Sequence, residues 1–201
     1  MGAKGVRMAK KPAKDAMSTE AKSISLAKEI AEYEKLIEQS LVIFKPDAVQ
    51  RGIVGEILQR FERVGLKIVA TKMVNPDRDH YYKHYENIGK MVTRRGEAAF
   101  ERTLKFMVSG PVIAMVFEGV EAVSLIRKIV GSTDPSKADM GTIRGDYAHM
   151  SFGYADARDT GVPNLIHASG DPDEAKLEIA HWFSPDEIVD TYHVLNERFT
   201  W

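Results

Sequence analysis

Val112-Ile113-Ala114-Met115-Val116-Phe117 is the most strand-like run in the chain, and its place among its neighbours restricts the fold. Two apolar runs precede it. Residues 41–44 end at Lys45-Pro46-Asp47, and the imperfectly alternating 66–74 stops at Asn75-Pro76. After it, a short run through Leu165 and Ile166 delivers His167 to a Ser-Gly-Asp-Pro turn. Helical spacing fills the gaps. Residues 52–64 carry Ile53, Ile57, Leu58 and Phe61 on one face and close at Gly65. Residues 77–85, 96–107 and 121–130 read as further helices. Another follows Asp171, an N-cap residue with Pro172 behind it. Glu118-Gly119 is expected to break the Val112 strand. The order is β-α-β-β-α-β with extra helices, which predicts an α+β, ferredoxin-like sandwich with an antiparallel sheet.

The totals limit what such a domain does. The formal net charge of the 201 residues is -1, which gives no global electrostatic case for binding nucleic acid or an anionic membrane. With no cysteine, disulfides, thiolate nucleophiles and cysteine-based zinc sites are excluded. No apolar run approaches the roughly 20 residues of a membrane span, and a cytoplasmic protein is expected. Residues 1–22, with Arg7, Lys10, Lys11 and Lys14, read as a disordered basic tail. In residues 23–39, Ile24, Leu26, Ile30, Tyr33, Leu36 and Ile37 recur at nearly helical spacing, an amphipathic extension. The compact domain is expected over 40–201.

Candidate chemistry centres on His167. An imidazole at a strand end, facing a turn and a helix start, can act as a nucleophile near neutral pH. Glu178 is the local carboxylate able to fix its tautomer. Taken alone, the stretch reads as a surface histidine at an ordinary corner. Other features point to an anionic ligand. Lys45 stands at the end of the first strand. Arg127 lies on the helix before a long loop, 132–146, where a solvated helix face is the simpler reading. Within that loop Gly141-Thr142-Ile143-Arg144-Gly145-Asp146 brackets an arginine with glycines. Such an arginine either forks onto phosphate oxygens or pairs with an aspartate to tie the loop down. Residues 147–163 read as irregular.

Taken together these pieces resemble the nucleoside diphosphate kinase family. They are Lys45-Pro46-Asp47-Ala48-Val49-Gln50-Arg51-Gly52, Ser109-Gly110-Pro111-Val112, Gly131-Ser132-Thr133-Asp134-Pro135, the Gly141 to Asp146 segment, and Asn164-Leu165-Ile166-His167-Ala168-Ser169 with Glu178. They come in the family's order and span residues 40–201; the N-terminal extension lies outside the resemblance. It implies ping-pong phosphoryl transfer. A nucleoside triphosphate such as ATP gives its γ-phosphate to His167, and the phosphohistidine passes it to a different nucleoside diphosphate, maintaining the non-ATP pools. The resemblance further implies that Glu178 accepts a hydrogen bond from the other ring nitrogen, with Ser169 beside it. Lys45, Arg127 and Arg144 would hold phosphates, and Thr133 would add a hydroxyl. Asn164 would bind sugar hydroxyls or the phosphate chain. Tyr85 would be the active-site tyrosine, and Phe100 would stack on the base. Mg2+ would bridge the phosphates rather than sit in a protein cage, and the chain would form a homo-oligomer, a tetramer or a hexamer.

The chain departs from the family pattern in places. Residues 86–106 are longer than usual. Residues 147–163 carry an insertion of about ten residues, a hairpin over the site or on an assembly surface. Ala168 replaces a usual glycine, and Gly170 stands where an acid is common, with Asp171 one step later. Two other readings exist: a non-catalytic member of the fold, and a nucleic-acid binder using the basic tail. The joint presence of His167, Glu178, Lys45, Arg127 and Arg144 argues against the first, and the net charge against the second.

Overall fold

The computed structural model describes residues 30–200 together with Ile24 and Lys28. The tail expected at 1–22, and Leu26, lie outside the described residues. The chain divides into two units, Met1–Leu36 and Ile37–Trp201. In the first, Ile24, Lys28 and residues 30–34 are helical, as their spacing predicts. Ile24, Ile30, Tyr33 and Leu36 are exposed. Ile37 does not continue this helix. It opens the first strand opposite Val120, so the second unit starts before the expected Ser40.

In the second unit the elements run β1 (Ile37–Phe44), α1 (Pro46–Gln50), α2 (Val54–Glu62), β2 (Lys67–Val74), α3 (Arg78–Tyr82) and a π-helical segment, Lys83–Ile88. Then come α4 (Met91–Arg95), α5 (Glu97–Met107), β3 (Val112–Val120), α6 (Ala122–Val130), α7 (Ile143–Tyr147) and α8 (Phe152–Ala157). β4 (Ile166–Ala168), α9 (Pro172–Trp182) and α10 (Glu197–Thr200) complete it. The sheet order is β2-β3-β1-β4, every pair antiparallel, which is the ferredoxin-like arrangement expected.

Strand alternation divides the core. Val42 and Phe44 face one side with Phe117, Ile166 and Ala168, covered by Ile57 and Phe61 of α2 and Ile126 and Val130 of α6. Leu41 and Ile43 face the other with Ala114 and Val116, under Tyr81 of α3, Phe100, Leu104 and Met107 of α5, and Trp182 of α9. Fully burying each such large side chain contributes roughly 1.5–3 kcal/mol. His167 pairs with Ile43, so it leaves the sheet on the second side.

Several local expectations are corrected. β3 does not break at Glu118-Gly119. Lys67 lies opposite Glu118 in the register and bonds its carboxylate at 3.2 Å, while Gln39 donates to the same group at 2.8 Å. Those contacts carry the strand through to Val120. The helix expected from Gly52 starts at Val54, because Gly52 takes a left-handed φ of 67° in a turn after α1. The loop 132–146 holds a 3-10 turn, Pro135–Lys137, and the start of α7, whose N-cap Thr142 accepts the Gly145 N–H at 3.1 Å. Gly145 serves the loop itself: a Cβ there would stand 2.0 Å from the Asp139 carbonyl oxygen. An Arg–Asp pair does tie the loop down, but the arginine is Arg60, bonded to Asp146. Residues 147–163 form no hairpin, and they are irregular only on either side of one short helix. They contain α8, capped by Ser151, which accepts the Tyr154 N–H at 3.1 Å.

Candidate active site

β4 and α9 together place the histidine. Leu165, buried and left-handed at φ 72°, turns the chain into β4. Its N–H donates to Asp47 Oδ2 at 3.0 Å, and its carbonyl accepts the Lys45 N–H at 2.8 Å. Ile166 and Ala168 enter the core, and His167 between them faces outward. The extended strand accommodates the Ala168 Cβ. The chain then turns at Gly170 into α9, capped by Asp171, which accepts the N–H groups of Asp173 and Glu174. The helix brings Glu178 back toward His167. Nε2 of His167 lies 2.8 Å from Glu178 Oε1, off the line of a straight hydrogen bond. The buried Ser169 hydroxyl donates to Glu178 Oε2 at 2.6 Å. Behind them the buried His84 accepts the Trp182 indole N–H at Nδ1, 3.2 Å away.

This environment sets protonation. Burial pushes the His167 imidazole well below its ordinary value; Lys45, Arg144 and Arg127 act the same way and Glu174 opposes them. The ring is therefore neutral at pH 7, and with Nε2 turned to the carboxylate, Nδ1 is left for a reaction partner. Burial pushes the Glu178 carboxyl upward against His84 and Ser169.

A cleft of about 410 Å³ opens in front of His167. Lys45, Tyr85, Arg127, Thr133, Arg144, Asn164 and Glu178 all line it, so the structure brings these expected residues together. Asn164 is a hub rather than a free amide. Its Oδ1 accepts from Lys45 Nζ at 2.8 Å and its Nδ2 donates to the Thr133 carbonyl at 2.8 Å. Arg144 is buried, donating to the carbonyls of Asn164 at 3.1 Å, Gly131 at 2.9 Å, and Ile166. Burial, then Arg127, pushes its guanidinium down to about 10. Burial, then Arg144, pushes the Lys45 amine down to about 8. The Tyr85 hydroxyl is buried with no hydrogen-bond partner. Cations crowd a cleft whose only lining carboxylates among the described residues are Glu174 and Glu178. Such a site suits an anion with several charges.

Phe100 is not in this cleft. It is buried in the core beside Leu104 and Met107, with its ring edge-on to Tyr82 at 5.5 Å. The aromatic residues that do line the cleft include Phe106 and Phe152. Sequence reading also missed Arg94, Arg95 and Glu174, which line it too. The adjacent arginines before Gly96 are the one signal that points to Arg94 and Arg95; Glu174, in the first turn of α9, carries none.

The fold and this cleft define a polyanion-binding site built around a neutral, carboxylate-backed histidine. The family model for nucleoside diphosphate kinase matches residues 38–188. A nucleoside diphosphate kinase of Borreliella burgdorferi is 43% identical over 154 residues, 77% of this chain and 92% of that protein. One from Pyrococcus furiosus is 45% identical over 154 residues, 77% of this chain and 88% of its own. A solved transition-state mimic of the Borrelia burgdorferi enzyme, with bound vanadate and ADP, superposes with a TM-score of 0.80 at 41% identity. It covers 83% of this chain and 98% of that one. The chain belongs to the nucleoside diphosphate kinase family. The family is one of nucleotide kinases, which generally need a divalent metal. No helix among the described residues is long and apolar enough to cross a membrane.

Proposed function

We propose that this protein transfers the γ-phosphate of ATP to nucleoside diphosphates through a phosphohistidine on His167. The observation that carries this is the 2.8 Å approach of Nε2 to Glu178 on a histidine that lines a cation-rich cleft, which leaves Nδ1 as the ring nitrogen not turned to that carboxylate. The Nδ1 lone pair attacks the γ-phosphorus in line, the bond to the bridging β-oxygen breaks, and the diphosphate leaves. A β-phosphate oxygen of a second diphosphate then attacks the phosphohistidine and restores the neutral ring. Glu178 offsets the positive charge that gathers on the ring in each half-reaction. Lys45, Arg127 and Arg144 neutralise phosphate oxygens, Thr133 adds a hydroxyl, and the unpartnered Tyr85 hydroxyl bonds the bound nucleotide.

Mg2+ fits this site as a passenger of the nucleotide. His84, His167 and Glu178 do place ligand atoms within 4.8 Å of one another. His84 Nδ1 is committed to Trp182, however, and Glu178 Oε2 to Ser169. Phosphate oxygens would hold the ion, which neutralises charge on the phosphate chain when bound.

The test uses the wild-type chain in two separate half-reactions. Incubation with γ-labelled ATP is expected to leave acid-labile label on the protein, and added GDP to discharge it as labelled GTP. A chain that takes no label overturns the proposal. A pH dependence follows from Lys45. Its amine is lowered from 10.5 to about 8, so the charge that grips phosphate is present below that pH and lost above it. ADP affinity is expected to fall as pH rises through about 8 in calorimetric titrations. Lys45→Arg, which stays charged, is expected to flatten the curve.

A further inference from the structure

One wall of the cleft comes from neither the sheet nor the cation row. α4 and α8, from the two segments longer than the family pattern, meet there. The Arg95 guanidinium carbon lies 3.6 Å from the centroid of the Phe152 ring, and both residues line the cleft. Arg95 has no hydrogen bond and no ion pair among the described residues, although its charge reaches Lys45 across the cleft.

Phe152 stands on a fixed support. Ser151 caps α8. Arg102 of α5 bonds Asp156 within α8, and Asp159 just beyond it at 3.5 Å. Further on, Gly161 lies so close to α5 that a Cβ would stand 2.5 Å from Phe106 Cβ. An arginine on a short exposed helix normally samples many rotamers. An aromatic face at van der Waals distance holds the guanidinium flat and leaves its N–H groups free at the edges.

We infer that Phe152 is a positioning residue for nucleotide binding: its ring holds the Arg95 guanidinium over the phosphate end of the cleft, where it clamps a phosphate of the bound nucleotide from the side opposite Lys45. This rests on the nucleotide-binding reading above. The ring face covered by Arg95 is closed to a base, which favours the clamp over direct stacking.

Steady-state kinetics of Arg95→Ala, Phe152→Ala, their double variant, Phe152→Trp and Phe152→Leu test it. Arg95→Ala is expected to raise KM for the nucleoside diphosphate about tenfold with kcat nearly unchanged, as loss of a charge-assisted phosphate contact predicts. Phe152→Ala is expected to raise it roughly threefold, and Phe152→Trp to restore it. If Phe152 acts through Arg95, the double variant is no worse than Arg95→Ala alone. Multiplied effects in the double variant would show that Phe152 touches the nucleotide itself, and would overturn the proposal. So would Phe152→Leu matching the wild type, since packing bulk rather than the aromatic face would then suffice. Calorimetric binding of ADP reads the same ratios without turnover. Ratios kept in a chain that takes no label from ATP sink the kinase reading and leave the clamp standing.

Discussion

His167→Ala is expected to abolish the acid-labile label from ATP and to lower turnover on the order of 10⁴-fold or more, since the proposed covalent intermediate forms on this residue. The residual rate reports what the cleft achieves without the covalent intermediate. The fold should survive. Ile166 and Ala168 carry the core contacts of β4, and His167 sits between them on the cleft side. Thermal melting is therefore expected to move little, so lost activity cannot be put down to lost structure. Label retained by the alanine variant would place the phosphate on another group and sink the role given to His167.

Arg144→Ala is expected to damage both stability and activity. Its guanidinium serves three carbonyls, those of Asn164, Gly131 and Ile166, in a buried setting. Leaving buried acceptors unpaired costs about 1–3 kcal/mol each, and entering water recovers part of that. A net loss of about 3 kcal/mol corresponds to a melting decrease of roughly 6–12 °C for a domain of this size. Arg144→Lys keeps a cation but cannot reach three carbonyls from one nitrogen, so it should regain less than half of the lost stability. Calorimetric melting of the three proteins checks this. Unchanged melting in Arg144→Ala would mean that the residue acts on ligand alone.

What could be read from the sequence depended on the range of the interaction concerned. The four strands were legible because alternation and stop residues are local. Strand β3 runs past its apparent stop because Glu118 is held by Lys67 and Gln39, which lie far away in sequence. Lys45, Arg144, His167 and Glu178 were found as separate residues, and the sheet and α9 unite them. That Arg144 is bound to carbonyls, and Asn164 to Lys45 and Thr133, could not be read, because backbone carbonyls leave no mark on residue type. Phe100 was misplaced because α5 carries Phe100 and Phe106 on different faces. Phe100 packs into the core with Leu104 and Met107, while Phe106 lines the cleft beside Gly161, a placement that composition alone does not mark.

The π-helical segment Lys83–Ile88 bears on how this chain tolerates changes in length. A π turn holds an extra residue while keeping its hydrogen bonds. His84 and Tyr85 lie within it, and the Arg94-Arg95 pair comes after it. Deleting one residue here would let the segment tighten to α-helix, but Gly89 and the left-handed Lys90 break the helix before α4, so the change is not passed on as a helix rotation. His84 and Tyr85, inside the turn, would shift first. The arginine wall depends on the break at Lys90 rather than on the helix register before it.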